Sequence, residues 1–524
     1  MIKKDSSLMS NFYKPLLLVI LDGWGVAAPS ESNAISLARK PYLDSCFASF
    51  PNTILKAAGE AVGLPHGESG NSEVGHLNLG AGRIVYQDLS RINTAIADGT
   101  FIENKAFNEA IVHVKKEGSR LHVMGLVGSG AVHSSVEHLY ALLWLLKQRG
   151  LDDIYLHLFT DGRDSPPSSA LQIFTELDLK LKELGIGKIA TIVGRYFAMD
   201  RDQRWERTEK AYRAAVFSEG RRAKDALEAI RESYSRKTTD EFIEPTIIGE
   251  TKTNGLAIAD NDSVIFFNYR PERARQLTKA FVEENFKGFN RGSELENLFF
   301  VSMTAYERNL PAKVAFSAPV INYPLSAIIS AKNITQIHIG ETEKYAHVTY
   351  FFNGGSEAPF PGEERIHIPS SKVATYDLRP EMSAKEITDT IIQKLKLRSY
   401  GFYVINFANA DMVAHTGSTE ATIKAVEFLD LCLGRVVSEV FPFGGIVVVV
   451  GDHGNAEQMI NPVTGNIDTE HSSNSVPFLV ISEELKSLSN KRLQAGILAD
   501  VAPTILYLLG LPAPEDMTGR NLLA

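Results

Sequence analysis

Cysteine is almost missing from this 524-residue chain: Cys46 and Cys432 are the only two, far apart in sequence. Such spacing excludes a disulfide framework and a CxxC redox or metal motif. It points to a reducing compartment in which both thiols serve as small buried hydrophobes. Long apolar runs are missing too. Leu16–Leu21 is the first, and it ends after six residues at Asp22, too short for a leader segment. No run approaches the ~18 residues of a membrane span. Nor is there an excess of positive charge: 54 Lys and Arg face 63 Asp and Glu, a net charge of −9. A phosphate backbone is normally met by a basic surface, so nucleic acid is a poor partner. Small anions respond instead to local charge in a cleft and stay open as substrates. What remains is a cytoplasmic globular protein that works on small molecules.

A chain of this length holds two to four domains. Four short apolar runs, Leu16–Leu21, Gly401–Phe407, Ile446–Val450 and Phe478–Ile481, have the makeup of strands buried on both faces. Amphipathic helical stretches accompany them at Lys385–Leu395, Glu420–Val437 and Asp500–Leu509. The middle repeats the pattern. Strands are predicted at Leu121–Val127, Ile154–Phe159, Lys188–Val193 and Val264–Phe267, and helices at Ser135–Arg149, Ser168–Leu184 and Arg204–Phe217. Alternation of this kind predicts an α/β fold, a mostly parallel sheet flanked by helices, with a second α/β domain in the middle. Residues Ala81–Asp88 and Ala318–Pro324 are the candidate linkers.

In open α/β sheets, ligands gather at the carboxyl ends of strands. Asp22 follows the first run in LDGWG, Asp411 and His415 follow the second in NADMVAHTG, and Asp452 and His453 follow the third in GDHGN. His471 stands just ahead of the fourth. Any one of these is as well explained as a helix cap or turn residue. Together they form a set. Asp411 and His415 share a helical face at four-residue spacing, and three carboxylates with three imidazoles and no thiolate suit Mn, Zn, Fe or Mg. A pair of such ions can hold the attacking and leaving oxygens of an in-line displacement.

The segment GESGNSEVGHLNLGAGR offers Ser69 and Ser72 as nucleophiles. Neither has an evident neighbouring base, which argues against a Ser–His–Asp hydrolase. A hydroxyl beside a metal ion needs no such base. Read by itself, the segment is a solvated glycine-rich loop. The middle region carries arginines instead of metal ligands, in TDGRDS (Arg163, Asp164), GRYFAMDRD (Arg195, Arg201) and FNYRPER (Arg270, Arg273). Pro271 suits the first turn of a helix and puts Arg270 and Arg273 on one face. Guanidinium forks grip phosphate and carboxylate bidentately, so three such motifs beside strand ends suggest a small dianion. Any one arginine is equally consistent with a surface salt bridge. Lys344, in ETEKYAHV, stands just past the second linker, where it can reach an anion.

Taken in order, LDGWG, GNSEVGH, TDGRD, GRYFAMDRD, RPER, EKYAHV, DMVAHTG, GDHGNAEQM and HSSNSVPF resemble cofactor-independent phosphoglycerate mutase, a member of the alkaline phosphatase superfamily. The resemblance runs from about residue 15 to the C-terminus and implies an isomerase of glycolysis and gluconeogenesis. It would need two Mn2+ ions and no 2,3-bisphosphoglycerate. It implies that Ser72 becomes phosphoserine. One ion would be held by Asp411, His415 and His471, the other by Asp22, Ser72, Asp452 and His453. Substrate would contact His133, Arg163, Asp164, Arg195, Arg201, Arg270, Arg273 and Lys344, with Asp164 moving protons on the glycerate hydroxyls.

The same resemblance implies a phosphatase-like domain over 15–86 and 320–524, interrupted by a transferase-like substrate domain at 87–319, with 1–14 a flexible extension. Domain closure would keep water from the phosphoserine, and a monomer would suffice. The departures are small: Ala414 stands where the family usually has Gly, and Ser475 where it often has Pro. A phosphatase or phosphopentomutase of the same superfamily would keep the metal residues but lack the arginine motifs. A silent binding protein would lack a ligand or the nucleophile. Neither pattern is seen here.

Overall fold

Six consecutive apolar residues can all be buried in one strand only if neighbouring strands cover both edges and helices cover both faces. A computed structural model of the chain, which describes residues 14–249, 256–488 and 493–524, has that arrangement around Leu16–Leu21. The extension expected over residues 1–14 lies, Lys14 apart, outside the described residues. The described residues form two compact units, one running up to Gln87 and again from Pro319 onward, the other within Asp88–Ala318.

Numbered along the chain, the strands are β1 Leu16–Leu21, β2 Asn52–Lys56, β3 Leu121–Val127, β4 Ile154–Thr160, β5 Lys188–Gly194, β6 Arg221–Ala223, β7 Thr246–Ile248 and β8 Ser263–Phe266, followed by β9 Phe299–Thr304, β10 Lys313–Phe316, β11 Gln336–Glu341, β12 Glu363–Ile368, β13 Phe402–Phe407, β14 Ile446–Gly451, β15 Val476–Ile481 and β16 Gly496–Ile497. The first unit holds the sheet β12-β11-β13-β1-β14-β15-β2-β16. It is parallel except at β15, which runs against both neighbours. The second holds β10-β9-β8-β3-β4-β5-β7-β6, parallel except where β5 meets β7.

Alternation along β1 sends Leu17, Val19 and Leu21 into one core and Leu16, Leu18 and Ile20 into another on the opposite face. Helices Ala384–Lys396 and Thr419–Val440 close the first core, and Ser72–Ala81 and Val501–Leu508 close the second. Cys46 and Cys432 are both free and buried. Among the described residues no helix is long and apolar enough to cross a membrane.

Register matters most for function. Leu21 pairs with Phe407 on one side and with Gly451 on the other. The chain therefore leaves the three central strands level with one another, and whatever follows each strand meets at one edge.

Candidate active site

Asp22 is the first residue after β1 and Asp452 the first after β14, and both are fully buried. After β13 the chain turns directly into a short helix, Asn409–Ala414, with His415 as its C-cap. That helix sets His415 Nε2 3.3 Å from Asp411 Oδ1, the shared face expected from the four-residue spacing. His471 Nε2 lies 3.3 Å from the same oxygen. His453 Nε2 is 3.4 Å from Asp22 Oδ1.

Ser72 departs from the loop reading. It is the first residue of the Ser72–Ala81 helix, and Asn71 caps that helix by accepting from Val74 N at 2.9 Å. A helix N-terminus favours negative charge, including that of a phosphoryl group. Basic groups also stand closer to Ser72 than the sequence suggested. Its hydroxyl is 2.9 Å from His453 Nε2 and accepts from Lys344 Nζ at 2.7 Å. Lys344 also donates to Asp22 Oδ1 at 2.7 Å and to Asp411 Oδ2 at 2.6 Å.

Electrostatics follow from this crowding. Burial opposes the ionisation of Asp22 and Asp411, but the Lys344 ammonium, together with His453 beside both and with His415 and His471 beside Asp411, holds both carboxyls below their usual range. Burial likewise disfavours a charged His453, yet Asp452, Asp22 and Asp411 push it up to about 10. Three buried carboxylates against the Lys344 ammonium and the His453 imidazolium still leave the pocket short of positive charge.

The donors fit cations. His415 Nδ1 faces Thr469 O at 2.7 Å, and His471 Nδ1 faces Gly70 O at 2.9 Å. With both Nδ1–H groups given to carbonyls, the two Nε2 lone pairs point at each other across 3.0 Å, beside Asp411 Oδ1. Two facing lone pairs and a carboxylate call for a cation, and a carbonyl on the far nitrogen is the usual way to fix a ligating histidine. Asp452 Oδ1 accepts from Gly23 N and His453 N, whereas its Oδ2 is buried with no hydrogen-bond partner. Residues Asp411, His415 and His471 form one candidate group, and Asp22 forms two more, with Asp411 and His453 and with His76 and Asp452.

Several side chains in this shell had been given no role. His76, four residues after Ser72 and so on the same helical face, sets Nδ1 2.9 Å from Ser72 O and 3.2 Å from Asp452 Oδ2. Asn406 donates to Asp22 Oδ2 at 2.7 Å and meets His76 Nε2 at 3.0 Å. Asn455 and Glu457 are buried behind the ligands. A lone Asn inside the apolar strand FYVINF was the available signal for Asn406.

The second unit gathers its residues by the same rule, behind the ends of parallel strands: His133 after β3, Arg163 and Asp164 after β4, Arg195 after β5, Arg270 after β8. Buried Arg195 donates to Asp161 and Asp164, and His133 Nε2 lies 3.7 Å from Asp164 Oδ2. Pro271 opens the Pro271–Val282 helix with Arg270 as its N-cap. Arg270 pairs with Glu272 at 3.0 Å, Arg273 donates to Met199 O at 3.1 Å, and the more exposed Arg163 lies 3.6 Å from Glu241. Burial and the fields of Arg195, Arg201 and Arg163 draw Arg273 below its usual value. Like charges drawn this close make a candidate place for an anion. Burial, helped by Arg195, pushes His133 down to about 4, so it is a neutral imidazole at physiological pH, and its buried Nδ1, 3.8 Å from Glu272 Oε1, has no hydrogen-bond partner among the described residues.

Residues 92–308 match the family model described as the BPG-independent PGAM N-terminus. The 2,3-bisphosphoglycerate-independent phosphoglycerate mutase of Clostridium beijerinckii is 50% identical over 511 residues, covering 97% of this chain and 99% of that one. The enzyme of the same name from Moorella thermoacetica is 50% identical over 510 residues, 97% and 98% of the two chains. Among solved structures, the Leishmania mexicana phosphoglycerate mutase crystallised at low cobalt concentration aligns with a TM-score of 0.61 at 31% identity, over 97% of each chain. Identity at this level over nearly the whole length leaves one conclusion: the chain belongs to the 2,3-bisphosphoglycerate-independent phosphoglycerate mutase family.

Proposed function

We propose that this enzyme interconverts 3-phosphoglycerate and 2-phosphoglycerate without added 2,3-bisphosphoglycerate, through a phosphoserine at Ser72. The observation that carries this reading is the placement of the Ser72 hydroxyl at a helix N-terminus, buried among carboxylates and imidazoles whose free donors converge. Two Mn2+ ions per chain are the proposed complement. Asp411, His415 and His471 would hold one, and Asp22, Ser72, Asp452 and His453 the other. When bound, such ions lower the pKa of a hydroxyl and offset the charge that builds on a transferring phosphoryl group.

The rest falls to the protein's own groups. Lys344, held above its usual value by Asp22 and Asp411 despite burial, stays an ammonium. It is assigned to the phosphoryl oxygens. Ser72 Oγ, its proton given up to solvent, forms its bond to phosphorus as the bond to the glycerate oxygen breaks, and Asp164 in its acid form supplies the proton which that oxygen takes up, becoming a carboxylate. After the glycerate reorients, Asp164 removes a proton from the other hydroxyl, which then takes the phosphoryl group back from Ser72. Arg163, Arg195, Arg201, Arg270 and Arg273 hold the anionic substrate, and neutral His133 donates a hydrogen bond to it. A cytoplasmic monomer suffices for this chemistry.

The test is Ser72→Ala. The variant should lose at least about a thousandfold in kcat and should yield no phosphoserine when quenched with substrate. Substantial mutase activity in that variant would overturn the mechanism.

A further inference from the structure

Glu457 is buried behind the ligand-bearing loops and touches none of the reacting groups. Its carboxylate is filled by four donors from three separate stretches of chain. Oε2 accepts from Gly25 N at 3.0 Å, in the loop that carries Asp22, and from Asn455 N at 2.9 Å, in the loop that carries Asp452 and His453. Oε1 accepts from Ser472 Oγ and, at 2.9 Å, from Asn474 Nδ2, both in the segment that carries His471. The remaining ligand segment is joined through Asn455, whose Nδ2 donates to Asp411 Oδ1 at 2.8 Å.

Two glycines make room for this hub. A Cβ on Gly25 would fall 2.1 Å from the Glu457 carboxyl carbon, and one on Gly454 would fall 2.2 Å from Ser472 Oγ and 2.4 Å from Glu457 Oε1. Neither glycine has a positive φ. They are needed for space and not for backbone conformation, which gives the second glycine of LDGWG and of GDHGN a physical reason.

We propose that Glu457, with Asn455, is the positioning residue of the metal centre: one buried carboxylate fixes the spacing of the four ligand-bearing segments other than the Ser72 helix and thereby sets cation affinity. The inference rests on the metal centre proposed above. A buried carboxylate with four donors is satisfied as an anion, and removing its charge frees donors in three loops at once. Each ligand is then free to drift by fractions of an ångström, enough to weaken a site that needs converging donors.

The test is Glu457→Gln in the full chain, stripped of metal and titrated with Mn2+ by calorimetry. The matched reference is Asp430→Asn. Asp430 is also buried and accepts from Tyr42 N at 3.1 Å and Leu43 N at 2.7 Å, but it binds no ligand loop. Glu457→Gln should weaken Mn2+ binding by about 10-fold or more, and its activity should recover as Mn2+ is raised. KM for phosphoglycerate at saturating Mn2+ should stay within about twofold of the parent. Asp430→Asn should lower the melting temperature and leave Mn2+ affinity unchanged. If Glu457→Gln fails to fold, Asn474→Ala removes one donor alone and should still weaken Mn2+ binding relative to Asp430→Asn. Equal Mn2+ affinity in the hub variant and the reference would overturn the inference, whereas a parent enzyme that binds no Mn2+ would overturn the metal centre itself.

Discussion

Glu341, the last residue of β11, is fully buried, and replacing it with Gln should stabilise the protein above neutral pH while doing little in acid. Its Oε2 accepts from Ser370 Oγ at 2.9 Å, and its Oε1 is buried with no partner. Burial pushes the carboxyl from 4.5 up to about 7, with Glu343 and Glu386 adding to the effect against two hydrogen bonds. The folded state thus holds the proton more tightly than the unfolded chain does. Stability from the protonated acid is complete below pH 4.5, falls as pH rises, and is lost above about 7. At about 1.4 kcal/mol per pH unit, the loss is about 3 kcal/mol. Glutamine is neutral throughout and avoids it.

The assay is scanning calorimetry of metal-free parent and variant at pH 5 and pH 8. Two units give no guarantee of one two-state transition, so the quantity to read is the difference within the same transition. It should be about 2 °C in favour of Gln at pH 5 and about 6 °C or more at pH 8. A difference independent of pH, or a variant less stable at pH 8, would refute the reasoning.

His138 works in the opposite direction: burial lowers it from 6.5 to about 4, so its contribution is present above pH 6.5 and about 3 kcal/mol is lost as pH falls to 4. His138→Gln, which can still meet Asn93, should flatten the acid limb of a urea-unfolding series, and an unchanged limb would count against this. Gly75→Ala sets two effects against each other. Alanine gains up to about 1 kcal/mol of helix propensity, but its Cβ would lie 2.7 Å from the Asp452 carbonyl oxygen, and overpacking of that kind costs about 1–3 kcal/mol. The melting temperature should fall; a rise would show that the loop yields.

The strands that carry the site could be read from sequence because they are continuous apolar runs: β1 and β3 have the predicted ends, and β13 and β14 differ by one residue. Burial on both faces produces such runs, so composition alone reveals them. Short strands at or next to a sheet edge gave no such signal. Arg221–Ala223, Thr246–Ile248 and Gly496–Ile497 have two or three residues each and exist only because a neighbour supplies the pairing. Acidic and imidazole groups at strand ends announced themselves by position, whereas Glu457 could not. Its importance lies in which backbone amides surround it, and those come from residues 25 and 455 together with two side chains near 472. The helix at Ser72 was hidden by its glycines: Gly75 and Gly80 depress helix propensity, and they are there because Asp452 and Phe352 press against them.

The level register of β13, β1 and β14 also shapes how this chain must be made. β1 is synthesised well before both of its partners, which come about 380 residues or more later. At about 5–20 residues per second, the interval is on the order of 20–75 seconds. Throughout it, LLLVIL has two open edges and six side chains destined for burial, while the continuous 88–318 unit can already fold. The strand that anchors the candidate metal loops is therefore an aggregation hazard in the nascent chain, and a place where a chaperone's protection is needed until its partners arrive.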